Sequence, residues 1–167
     1  MNAGIAIIRA DGDGEHLQFS GGGVLTMKAT SAETGGAFLL FEDHMTRGKM
    51  TPLHIHADED EALYVLEGEI LVHISGVNHL VGPRGLAVAP RGIPHAFMVT
   101  SDTVRVLTLQ TPGSAEQFYR GASDTVNSDT NLDGPVDFDR VLASAERTGG
   151  MQVIGPPPFP APQIAEV

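Results

Sequence analysis

His54-Ile55-His56 is the stretch of this sequence with the clearest chemical potential. Residues two apart on a strand point to the same side, so both imidazoles would face one way and Ile55 the other. Two imidazoles on one face are a natural pair of metal ligands. The same pattern fits a polar strand end with two solvated histidines, and a motif this short carries a real false-positive risk. Four acids follow closely, Asp58, Glu59, Asp60 and Glu61, ahead of the apolar run Leu63-Tyr64-Val65-Leu66.

The surroundings extend the pattern. Gly48, His54, His56, Glu61 and Gly68 spell G-x5-H-x-H-x4-E-x6-G. Downstream, Pro90, Gly92 and His95 give P-x-G-x2-H. These two blocks resemble the two sequence motifs of the cupin superfamily, over Gly36 to Thr111. The first block matches throughout. The second departs at Arg84, where a leading Gly is expected, and at Val99, where an Asn is often found. The resemblance implies that His54, His56, Glu61 and His95 bind one metal ion. Three imidazoles and a carboxylate suit a divalent first-row metal (Fe, Mn, Ni, Co, Cu or Zn), and ligand type does not choose among them.

Strand alternation bears on which acid belongs to the set. Glu61 shares a face with Leu63 and Val65, good candidates for a barrel interior. An inward carboxylate is costly unless paired or metal-bound. Asp60 would then point outward, with Asp58 and Glu59 in a loop, and none of these three would need a role beyond solubility. His95 alternates with Phe97 and Val99 on the next candidate strand. His16, His44, His73 and His79 lack comparable spacing and read as surface or hydrogen-bonded residues.

The elements that must position these groups are short. GVLTMKAT, GAFLLFED, EALYVLEGEILVHI, GLAVAP, HAFMVTS and TVRVLTLQ are apolar runs punctuated by 20 glycines and 11 prolines. Such punctuation argues for an all-β sandwich or barrel. The resemblance sharpens this to a cupin-type double-stranded β-helix, a jelly-roll barrel, with one or two short C-terminal helices. Glu67-Gly68-Glu69 and Ser75-Gly76-Val77-Asn78 read as tight turns. Ser114 and Gln117 have capping-box spacing and predict a short helix through about Gly121, anchored by Phe118 and Tyr119. A polar stretch, SDTVNSDTNLDGP, reads as a loop. Phe138, Val141, Leu142 and Ala145 predict an amphipathic helix ended by a Gly pair. Met151 to Ile154 predicts a last strand.

The expected division is N-terminal strands at 1–35, barrel core at 36–111, helical extension at 112–155 and proline-rich tail at 156–167. The N-terminal part is expected to pair or exchange across a homodimer, through Gly4 to Ile8.

The whole chain has 167 residues and a formal net charge of −11. An acidic surface argues against nucleic acid and anionic membranes as partners. The absence of cysteine removes disulfides, thiolate ligands and thiol nucleophiles. No run is long and apolar enough to span a bilayer, and the N-terminus lacks a secretory signal pattern, so the chain reads as cytoplasmic. No Gly-x-Ser-x-Gly occurs, Gly21-Gly22-Gly23 precedes no helix, and the acids at 58–60 do not match an EF-hand.

The pocket is expected near Phe38, Leu40, Met45, Met50, Leu63, Phe97 and Met98, although the parity of Phe38 to Phe41 is open. The layout is similar to the bacterial quercetin 2,3-dioxygenase-like cupins. That resemblance implies a dioxygenase using O2 on a small aromatic or enol substrate, flavonol-like, with Glu61 as both ligand and general base. Alternatives are an isomerase or lyase using the metal as Lewis acid, or a non-catalytic binder. An apolar lining favours the first.

Overall fold

The computed structural model describes residues 6–20, 22–126 and 134–160. The expectations at Gly4, Ile5 and Gly21, and for the tail beyond Pro160, lie outside these residues.

Two antiparallel sheets form the body. The chain runs β1 (Glu15–Phe19), β2 (Gly23–Ala29), β3 (Leu39–Thr46), β4 (Leu53–Ile55), β5 (Asp60–Glu67) and β6 (Ile70–Ile74). It continues through β7 (Val77–Val81), β8 (Leu86–Ala89), β9 (His95–Val99) and β10 (Thr103–Thr111). Then come α1 (Glu116–Gly121), β11 (Ser123–Thr125), α2 (Phe138–Thr148) and β12 (Gln152–Gly155). One sheet has the order β11-β1-β2-β3-β10-β5-β8, the other β12-β4-β9-β6-β7. This is the double-stranded β-helix with short C-terminal helices that the sequence led us to expect.

Alternation builds the interior. Every second residue of β2 is buried, and β10 buries Val104, Val106, Thr108 and Gln110 in turn. One apolar cluster joins Leu25, Phe41, Phe118, Val141 and Met151. A second joins Val65, Ile70, Val72, Val99 and Val106. β6 and β7 close through Ser75 and Gly76, both at positive φ, and Ile74 pairs with Val77. That is the geometry a two-residue hairpin favours. Arg84, at the position of the expected Gly, has φ +65, so the left-handed turn persists on an arginine.

Three local expectations change. Ser114 does not cap α1: the cap position is Ala115, with no side-chain bond, and the Ser114 hydroxyl donates to Glu59 at 2.5 Å. Ser123–Thr125, read as loop, is a short edge strand paired with β1. Its polar residues suit an edge with one free side. On α2 the buried face is Val141, Ser144 and Ala145, and Leu142 is exposed. A small Ser144 lets α2 approach α1, and its hydroxyl donates to the Phe118 carbonyl. β1 and β2 pair with each other and with β3 in the larger sheet.

Candidate metal centre

β4 and β9 are antiparallel neighbours in which His54 sits directly opposite His95. His56 follows two residues after His54. Glu61 enters from β5 in the facing sheet, on the buried parity of Leu63 and Val65. All four side chains are buried, and one ligand atom from each lies within 4.8 Å of the others. The ring centroids of His54 and His95 are 4.2 Å apart, those of His54 and His56 5.1 Å.

Backbone carbonyls orient the rings. Nδ1 of His54 donates to Pro52 O at 2.8 Å, that of His56 to Gly150 O at 2.7 Å, and that of His95 to Ile93 O at 2.8 Å. A carbonyl only accepts, so each Nδ1 carries a proton; Nε2 of His54 and His56 then keeps its lone pair, while Nε2 of His95 donates to Glu61 Oε2 at 2.9 Å. This is the outer-shell arrangement that prepares histidine for a metal. The donor set therefore fits a first-row divalent ion. Burial, then the neighbouring His95 and His56, pushes His54 down to about 3, so it is neutral and ligand-ready.

Burial alone would push Glu61 up. The hydrogen bond with His95 and the three imidazoles outweigh it and hold the carboxyl below its ordinary range. Burial also opposes charge on His95, yet its Glu61 partner at 2.9 Å raises it. Glu61 Oε1 accepts from Gln110 Nε2 at 3.0 Å and from the Tyr119 hydroxyl at 3.4 Å. Burial, then the charges of Glu61 and Asp43, keeps Tyr119 a protonated phenol. Neither Gln110 nor Tyr119 belonged to the sequence-derived site. Gln110 had a visible signal, an amide on the inward parity of an otherwise apolar strand.

Two of the acids set aside as solvated have partners. The Arg91 guanidinium makes a two-pronged contact with Asp60, Nε to Oδ1 and Nη2 to Oδ2 at 3.0 Å each, and Arg91 N–H also donates to Oδ1. That clasp ties the start of β5 to the turn that delivers His95, while Gly92 N–H donates to His56 O at 2.7 Å. Glu59 is buried against Ser114. Asp58 alone of the three is simply exposed.

A cavity of about 70 Å³ opens beside His54 and Glu61. Met45, Met50, Leu63 and Phe97 line it, as expected, together with Leu25, Phe41, Phe118 and Met151. Phe38 and Leu40 do not. Phe38, just before β3, and Leu40, on its opposite face, line a separate surface hollow with Leu66 and Arg105. The parity of β3 turns Leu39 and Phe41 inward. Met98 is absent from the cavity wall and bridges to Met50 through the backbone. Asp43 faces the cavity, and burial, then the Glu61 charge, pushes its carboxyl up to about 8. His16 and His73 bond to Thr26 and Asn78, and His44 and His79 are exposed.

Comparison with known proteins agrees with this geometry. A family model described as Cupin domain matches residues 41–109. Quercetin 2,3-dioxygenase of Bacillus subtilis (strain 168) is 30% identical over 108 residues, 65% of this chain and 32% of that protein. The chain thus spans about a third of the length of this curated relative. KdgF from Halomonas sp. superposes with TM-score 0.57 at 21% identity, over 66% of this chain and 94% of that one. A predicted oxalate decarboxylase from Thermotoga maritima gives TM-score 0.56 at 19% identity, over 65% and 99%. At those identities the two structures speak for the fold alone. With two such sheets around three carbonyl-braced histidines and a glutamate, the chain has a cupin-type fold, and residues 41–109 match the cupin domain.

Proposed function

We propose that this chain is a cupin and a metal-dependent dioxygenase acting on a compact aromatic or enol substrate. One observation carries the reading: His54, His56, Glu61 and His95 converge beside a cavity whose wall is mostly apolar. The likeness to a quercetin 2,3-dioxygenase supports it. A bound first-row metal would supply Lewis acidity and, if redox-active, an electron path to O2.

The chain's own residues would do the rest. The three imidazoles, braced at Nδ1, hold Nε2 toward one point. Glu61 takes the proton of the substrate hydroxyl at a carboxylate oxygen. A carboxylate held below its ordinary range is a weak base, so it suits the acidic hydroxyl of an enol or phenol better than a sugar alcohol. The apolar wall excludes water from the reacting end. The cavity is smaller than the roughly 150 Å³ that holds benzene in an engineered core. Met45, Met50 and Met151 give that wall adaptable side chains, so one ring is admitted more readily than the three of a flavonol.

The test is metal content by mass spectrometry on protein purified without added metal, followed by O2 uptake with enediols, catechols and flavonols. About one first-row metal per chain and O2 consumption are expected. Glu61→Gln should abolish turnover, and Asp58→Asn should leave it unchanged. Protein without metal would sink the reading, and metal without O2 uptake would move it to a lyase or isomerase.

A further inference from the structure

Asp43 is an acid with no structural partner. It lies on the inward parity of β3, between Phe41 and Met45. Its cross-strand neighbours are Leu25 on β2 and Val106 on β10. None of these four side chains can donate a hydrogen bond. Among the described residues no side-chain hydrogen bond to Asp43 is formed. Asp43 is half-buried, and holding its carboxyl in this apolar setting without a donor costs free energy. Leucine or valine there would complete the apolar wall.

Thr108 shares the wall. It is buried, pairs with Phe41 in the ladder, and faces the same cavity as Asp43, His54 and Glu61. Its hydroxyl likewise makes no hydrogen bond among the described residues. Both polar groups thus look into a mostly apolar space, lined also by Lys49, Thr51 and Tyr119, that touches His54 and Glu61. Pockets use a few placed polar groups of this kind to fix a ligand's orientation.

We propose that Asp43, with Thr108 beside it, selects the substrate: the pair receives a second hydroxyl, at the end of a compact molecule whose first hydroxyl faces Glu61. The proposal rests on the dioxygenase reading above for the identity of the first hydroxyl. It narrows the substrate class to small aromatics or enols with two separated hydrogen-bond donors. Asp43 would hold a proton near neutrality in the empty cavity, and as an acid or a carboxylate it can accept from a hydroxyl.

The experiment is calorimetric binding of phenol and of hydroquinone to wild type, Asp43→Leu, Asp43→Asn and Thr108→Val. Each is measured metal-free and after loading with zinc. Wild type should bind hydroquinone about tenfold more tightly than phenol, the size of one good hydrogen bond to a charged or strongly polar group. Asp43→Leu should erase that preference and keep phenol binding, which also reports that it is folded. Asp43→Asn retains an acceptor oxygen and should keep part of the preference. Thr108→Val should reduce it. A preference unchanged in Asp43→Leu, or no preference or no binding in wild type, overturns the proposal. The metal-free arm separates the two ideas, because loss of the metal reading leaves the hydroquinone preference intact there.

Discussion

At the scale of the residue, the site is a set of carboxyls sorted by their surroundings. Glu61 is held ionised by imidazoles, Asp60 is clasped by Arg91, Glu59 meets Ser114, and Asp43 forms no side-chain hydrogen bond among the described residues. The last has a measurable effect on stability. An aspartate in the unfolded chain titrates near 3.9, whereas in the folded protein Asp43 is raised to about 8. The unfolded state therefore releases its proton first as pH rises, and folding is penalised progressively between about 4 and 8. Metal-free Asp43→Asn should melt higher than wild type, by a margin that widens from pH 5 to pH 8 and then levels off. A margin independent of pH would refute the raised carboxyl. The histidines and Glu61 were legible in the sequence because alternation and spacing name them directly. Glu59 and Asp60 were misjudged because their partners, Ser114 and Arg91, are 55 and 31 residues away.

At the scale of the element, strands were easier to read than the contacts of the helices. The alternation of β2, β5 and β10 marks their buried faces without tertiary information. On β3, Leu39 to Phe41 is continuously apolar, so its parity is fixed only when Leu39 is seen against the interior and Leu40 against the outer hollow. α2 offers the same lesson. Val141 and Leu142 are adjacent and both apolar, yet α1 selects Val141. Val141→Ala should cost about 1–3 kcal/mol in chemical denaturation. Leu142→Ala, at an exposed position, should change stability by less than about 0.5 kcal/mol. Equal costs would mean that α2 is rotated from the orientation described.

At the scale of the whole molecule, the site draws on more chain than the matched domain. Residues 41–109 contain all four ligands. Yet Gln110 and Tyr119 touch Glu61, Met151 and Val141 wall the cavity, and the Gly150 carbonyl holds His56. A Cβ on Gly150 would sit 2.8 Å from the Phe118 Cβ, so Gly150→Ala forces a shift beside that carbonyl. Outer-shell losses of this kind typically weaken metal binding about tenfold or more. Zinc affinity by competition with a chelator should fall by that factor in Gly150→Ala, with every ligand still in place. An unchanged affinity would show that His56 orients itself.

The hydrogen bond from His56 to Gly150 crosses 94 positions of sequence. It makes a segment beyond the barrel strands part of the candidate metal centre. Transplanting the barrel motif alone into another scaffold would carry over the correct letters and leave one imidazole free to spin. In a protein still emerging from the ribosome, the ligands would all be made well before the group that steadies the second of them. Competence to take up an ion would then arrive only after the barrel strands, with the closing of β12 against β4.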